Sequence, residues 1–216
     1  MTGGSRSSAD RRRRRTSPGV RDATVVAIEQ HLKQREARRD DLYARARRLR
    51  RLAQGTMTRL HAGGASPKEI AEVRAGAAAL ADWLRREGRG DEPLALDALQ
   101  EAVEAVLLGA AADGAPFPGP AELGVDPEPY LLGLGDVVGE LRRRVLDGLG
   151  RDDLAAAQED LALMERLTRT LARFDTTRAI LPLKPKQDSA RALLERTRGE
   201  VVMARVLARA RPRRGP

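Results

Sequence analysis

An all-α fold is what this sequence predicts, on three observations. Ala, Arg and Leu dominate its 216 residues. The five aromatic residues, Tyr43, Trp83, Phe117, Tyr130 and Phe174, are too few for a strand-rich core. Apolar residues recur at intervals of three and four rather than two. The length suits one domain with a proper core and does not require two.

MTGGSRSSADRRRRRTSPG offers almost nothing to bury and reads as a disordered basic tail, residues 1–21. From about Asp22 to Leu60 one long helix follows, with Leu42, Ala46, Leu49, Leu52, Ala53, Thr56 and Leu60 as its apolar stripe. HAGG ends it. Ser66, Pro67 and Glu69 form a capping box that opens a helix to about Arg86, in which Trp83 is expected in the core beside Leu80 and Leu84. A third helix is expected from about Glu92 to Ala112, then a loop at GAPFPGPAELG. Asp126 and Pro127 start the next helix, and GLGRDD turns into a fifth, about Asp152 to Arg173. ILPLKPKQD breaks the pattern with two prolines. A last helix, about Asp188 to Ala208, runs into a basic C-terminal tail, 205–216, so that the folded domain is expected over 22–204.

There is no cysteine, which excludes disulfides, thiolate nucleophiles and Cys-based zinc sites. No apolar run has the length of a membrane span and no secretory signal is visible, so a soluble, cytoplasmic protein without a membrane partner is expected. The net charge of +9 hides a division. Residues 1–21 hold seven Arg against one acid, and 205–216 hold five Arg and none, leaving a body with 28 basic and 30 acidic residues. From Gly90 to Leu141 there is no Lys or Arg, but there are eleven acids.

Within that segment YLLGLGDVVGELRRRVLDGLG, Tyr130 to Gly150, carries Gly133, Gly135 and Gly139, each about 1 kcal/mol less favourable than alanine in a helix. They do not have the GxGxxG spacing, and close helix packing explains them better. Asp136 and Glu140 lie four apart on one side, opposite Tyr130, Leu134, Val137, Leu141 and Val145. Acids opposite an apolar stripe ordinarily make a solvated face. The third helix strengthens a functional reading: Asp97, Glu101 and Glu104 stack opposite its apolar residues, and like charges so spaced repel. Two helices of such acids without an arginine beside them, in a chain with 36 arginines, point to a divalent cation. Oxygen donors favour magnesium or manganese over zinc. His31 and His61 have no Ser or Cys partner at a telling spacing and are read as surface or packing residues. Arg45, Arg48, Arg51 and Arg59 on the first helix are candidate nucleic-acid contacts, and the Arg11–Arg15 run either grips phosphate or solubilises.

QEAVEAV at Gln100 to Val106 and the YLLGLGDVVGELRRR stretch together resemble the translin/TRAX family, in its TRAX-like branch. RARRLRRLAQGTMTRLH and DSARALLERTRGEV resemble that family's first and last helices, so the likeness covers roughly residues 40–204. The N-terminal arginines and LPLKPK match nothing in it. The resemblance implies a translin-like bundle of six to seven helices, assembled as an octamer-like homo-oligomeric shell round single-stranded RNA or single-stranded DNA. It also implies that Glu101, Glu104, Asp136 and Glu140 form a magnesium-dependent endoribonuclease site. A noncatalytic nucleic-acid-binding shell of the same fold is the alternative, and a helical scaffold with basic tails is a third reading.

Overall fold

The computed structural model describes residues 21–88, 93–175 and 181–210. The Arg11–Arg15 run, RPRRGP, and Asp91 and Glu92 of the acidic segment lie outside the described residues. The described residues form seven α-helices and no strand: α1 Asp22–His61, α2 Pro67–Glu87, α3 Pro93–Ala112, α4 Pro120–Leu123, α5 Pro127–Gly150, α6 Leu154–Leu171 and α7 Leu183–Ala210. None is long and apolar enough to cross a membrane.

The chain divides into two compact units, Met1–Asp41 and Leu42–Pro216. The described part of the first is the N-terminal half of α1, on which Val25, Val26, Ile28 and Leu32 are exposed. In the second unit α1 buries Leu42, Ala46, Leu49, Ala53 and Thr56, alternating steps of four and three that keep one narrow face inward. α2 opens with the expected capping box: Ser66 Oγ accepts from the Glu69 amide and Glu69 Oε2 accepts from the Ser66 amide. Trp83 packs against the core beside Leu80 and Leu84, partly buried, and the exposed Arg45 guanidinium lies 5.4 Å from its ring centroid in a cation–π contact.

α5 is the hub of the second unit, packing on α3, α6 and α7, while α2 packs on α3 and α6 on α7. Its arginine triplet serves this role, because consecutive residues point about 100° apart. Arg142 reaches α7, donating to Thr197 and to both oxygens of Glu200; Arg143 donates to His61 of α1; Arg144 donates to Asp160 of α6. The Glu200 pairing raises the Arg142 pKa further.

Three features differ from the sequence expectation. The Pro/Gly loop contains the one-turn α4, held by Gly119 N–H donating to Glu122 and closed at Gly124 with φ +67°. α7 begins at Leu183 rather than near Asp188, because Pro185 falls in the first turn, where no backbone N–H is needed. At its other end α7 continues to Ala210, so Arg205 and Arg209 stand on helix.

Candidate active site between α3 and α5

α3 is apolar on nearly all sides: Ala95, Ala98, Leu99, Ala102, Val103 and every residue from Ala105 to Gly109 are buried. Its acids therefore cannot all turn to water. Asp97 is exposed, whereas Glu101 and Glu104 are only partly so. α5 comes close along this side. A Cβ on Gly133 would lie 2.8 Å from the Gln100 carbonyl oxygen and 2.9 Å from Val103 Cβ, so only glycine allows the approach. One turn further along α5, Asp136 and then Glu140 face the same seam.

The four acids expected at the site are thus brought together, and Glu104 is their centre. Burial raises its pKa first; the charges of Asp136 and Glu140 raise it further, Lys186 opposes them and Glu101 adds to the rise, so that the carboxyl is pushed up to about 8. An open cleft of about 380 Å³ exposes Glu101, Glu104 and Glu140 beside Gln54, Thr58 and His61 of α1.

The expectation that no cation stands beside these acids is overturned. Arg50 pairs with Glu101 at 2.8 Å and Gln54 donates to it at 3.2 Å. Lys186 and Gln100 both donate to Asp136. His61 Nε2 lies 2.6 Å from Glu140, and Arg143 Nη1 lies 2.9 Å from His61 Nδ1. A guanidinium only donates, so His61 Nδ1 is the acceptor and Nε2 carries the proton given to Glu140. Helices remote in sequence supply what α3 and α5 lack. With the carboxylates turned to these partners, no group of three or more His, Asp or Glu side chains among the described residues is arranged to hold a metal ion. Glu104 is the one of the four with no hydrogen bond or ion pair among the described residues.

His61, read from sequence as a packing or surface residue, belongs to the site, as do Arg50, Gln54, Gln100 and Lys186. The α1 spacing carried a signal: Arg50, Gln54 and His61 fall at steps of four and seven, one polar face of the helix. Lys186 had none, since it lies in the segment expected to break. The candidate nucleic-acid arginines are all exposed on α1. Arg45 and Arg48 line a groove of about 580 Å³ between α1 and α2, Arg51 is exposed, and Arg59 pairs with Glu69.

No protein-family model matches the chain. An uncharacterized protein of Methanocaldococcus jannaschii is 40% identical over 104 residues, 48% of this chain and 47% of that protein, so the match spans about half the relative's length. Among solved structures, the AfC3PO–duplex RNA complex matches with TM-score 0.75 and 28% identity over 87% of this chain and 100% of that one. A crystal structure of AfC3PO gives TM-score 0.76 and 28% identity over 85% and 98%. Apo-NeC3PO gives TM-score 0.74 over 86% and 100% and, at 20% identity, speaks to the fold alone. The chain has the translin-like helical fold of the C3PO proteins.

Proposed function

We propose that this chain is a C3PO-type RNA-binding subunit that cuts single-stranded RNA with the help of magnesium or manganese, single-stranded DNA being a second ligand. The observation that carries this reading is Glu104: a carboxyl held with three others around it and no base of its own. Such crowding is unfavourable unless a cation relieves it. The donor set fits a hard divalent ion, with four carboxylates and no sulfur. Glu101, Glu104, Asp136 and Glu140 would hold it; when bound, such an ion lowers the pKa of water and neutralises charge on a phosphoryl group. The chain's own contribution is positioning. His61, fixed by Arg143, orients Glu140, and Gln54 and Gln100 orient Glu101 and Asp136. RNA association is supported by likeness to AfC3PO, which is seen with duplex RNA. A single strand bends to bring its phosphates onto carboxylates inside a cleft more readily than a stiff duplex, which favours it as the cleaved form.

The second reading, a noncatalytic RNA-binding protein, is favoured by one observation: three of the four acids already have internal donors. Assaying cleavage of labelled single-stranded and duplex RNA with magnesium and with chelator separates the two. Glu104→Ala and Asp136→Ala should each lower cleavage about 100-fold or more while leaving helicity and RNA affinity unchanged. Wild-type rates in both variants would leave the noncatalytic reading standing.

Assembly into a homo-oligomer, octamer-like in size, is part of the proposal. Exposed apolar side chains support it: Val202, Met203, Val206 and Leu207 at the end of α7, and separately Val25, Val26, Ile28 and Leu32 on α1. Light scattering should give a particle several times heavier than the 23.5 kDa chain, and a monomer at micromolar concentration would remove this part.

A further inference from the structure

Resting on the reading of the seam as a metal site, we propose that Lys186 is a built-in competitor for the divalent ion, its ammonium holding Asp136 until an ion displaces it. Five observations converge. Lys186 Nζ donates to Asp136 Oδ1, and both side chains are largely shielded, 31% and 24% exposed. α5 makes room for the lysine stem: a Cβ on Gly135 would lie 3.0 Å from Lys186 Cβ and 3.4 Å from its Cγ. A glycine inside a helix, unfavourable by about 1 kcal/mol, is thus set where the stem crosses. The early start of α7 places Lys186 in its first turn, directly over α5. Asp188, the nearby acid on α7, is occupied by Lys184 at 2.7 Å, so Asp136 is the partner left for Lys186.

The choice of residue is the fifth observation. The chain uses 36 arginines and 4 lysines, and lysine stands here. Arginine grips a carboxylate through a planar fork, whereas an ammonium is a compact, strongly hydrated point charge that returns to water readily. Arg142, which holds both oxygens of Glu200, shows what a permanent clasp looks like in this fold. Lys186 is the exchangeable version. The exchange is of one cation for another at the same oxygen and makes or breaks no covalent bond.

The experiment uses the full-length protein and Mn²⁺ as probe. Manganese binding is followed by electron paramagnetic resonance in wild type, Lys186→Met and Asp136→Asn. The methionine keeps the stem packed on Gly135 and removes the charge. If Asp136 is free in only about a tenth of wild-type molecules, Lys186→Met binds manganese roughly tenfold tighter. Equal or weaker binding overturns the proposal. A second readout tests displacement itself: acetylation of Lys186 by an amine reagent, quantified by mass spectrometry, should speed up as manganese saturates, while Lys184, 64% exposed, keeps its rate. A Lys186 rate that manganese leaves unchanged also overturns it. Asp136→Asn separates the two levels. If this variant loses manganese while Lys186→Met binds no tighter than wild type, the metal site stands and the competitor falls; if it binds manganese as wild type does, the site reading falls and the competitor with it.

Discussion

Asp160 and Glu104 are both acids turned inward from helices packed on α5, and the fold treats them in opposite ways. Asp160, 7% exposed, receives Arg144 Nε on both oxygens at 3.1 and 3.0 Å. Its charge is answered by one neighbour, and the pair ties α6 to α5. Glu104 sits among Asp136, Glu140 and Glu101, and the donors nearby, Lys186, His61 and Arg50, are spent on those three. A buried charge that is paired belongs to the architecture; one that is left with like charges is a cost the architecture does not require. The difference teaches that burial of an acid does not by itself mark a functional site, whereas the identity of its neighbours does.

Two substitutions test this contrast. Removing the answered charge should hurt most: Arg144→Ala leaves Asp160 buried without its partner and should destabilise the fold by about 3 kcal/mol, read as a lower urea midpoint with unchanged slope. A midpoint equal to wild type would make the Arg144–Asp160 pair a surface ornament. Removing the unanswered charge should do the opposite, and its effect should depend on pH. The folded pKa of Glu104, about 8, lies above its ordinary value of 4.5, so the unfolded chain loses this proton first. Wild-type stability from this group is therefore intact below about pH 4.5 and declines as pH rises towards 8. Without divalent ions, Glu104→Gln should match wild type near pH 4.5 and exceed it increasingly up to pH 8. Thermal melts across that range check it, and parallel curves would mean that Glu104 is not crowded.

The helical class, six of the seven helices and the two acid pairs were legible because they are written in short-range periodicity. Asp136 and Glu140 share a face by spacing alone, and the Ser66 box is complete within four residues. What was not legible depends on partners remote in sequence. Arg50, His61 and Lys186 answer acids on other helices, and no local pattern says that an acidic segment will be met by bases from elsewhere. The start of α7 was hidden for a local reason: Pro182 and Pro185 read as breakers, although a proline in the first turn is compatible with helix. The glycines of α5 were legible as close packing but not in detail. Gly133 admits α3 and Gly135 admits the lysine stem, whereas a Cβ on Gly139 would meet only Leu193 Cδ1, at 4.0 Å.

The short turn between α5 and α6 has a consequence for the order in which the molecule assembles. Only Arg151, Asp152 and Asp153 separate the two helices, with Asp152 in the left-handed region at φ +59°, and the Arg144–Asp160 pair spans 16 residues of chain. The contacts of the seam span far more: 36 for Gln100 to Asp136, 50 for Lys186 to Asp136 and 79 for His61 to Glu140. Near contacts close first because they sacrifice less chain entropy, so the α5–α6 hairpin should form in the folding nucleus and the carboxylate seam after the rate-limiting step. Magnesium held at the seam should then leave the refolding rate unchanged and slow unfolding alone. Stopped-flow chevrons with and without the ion check this, and a faster refolding arm with magnesium would put the seam inside the nucleus.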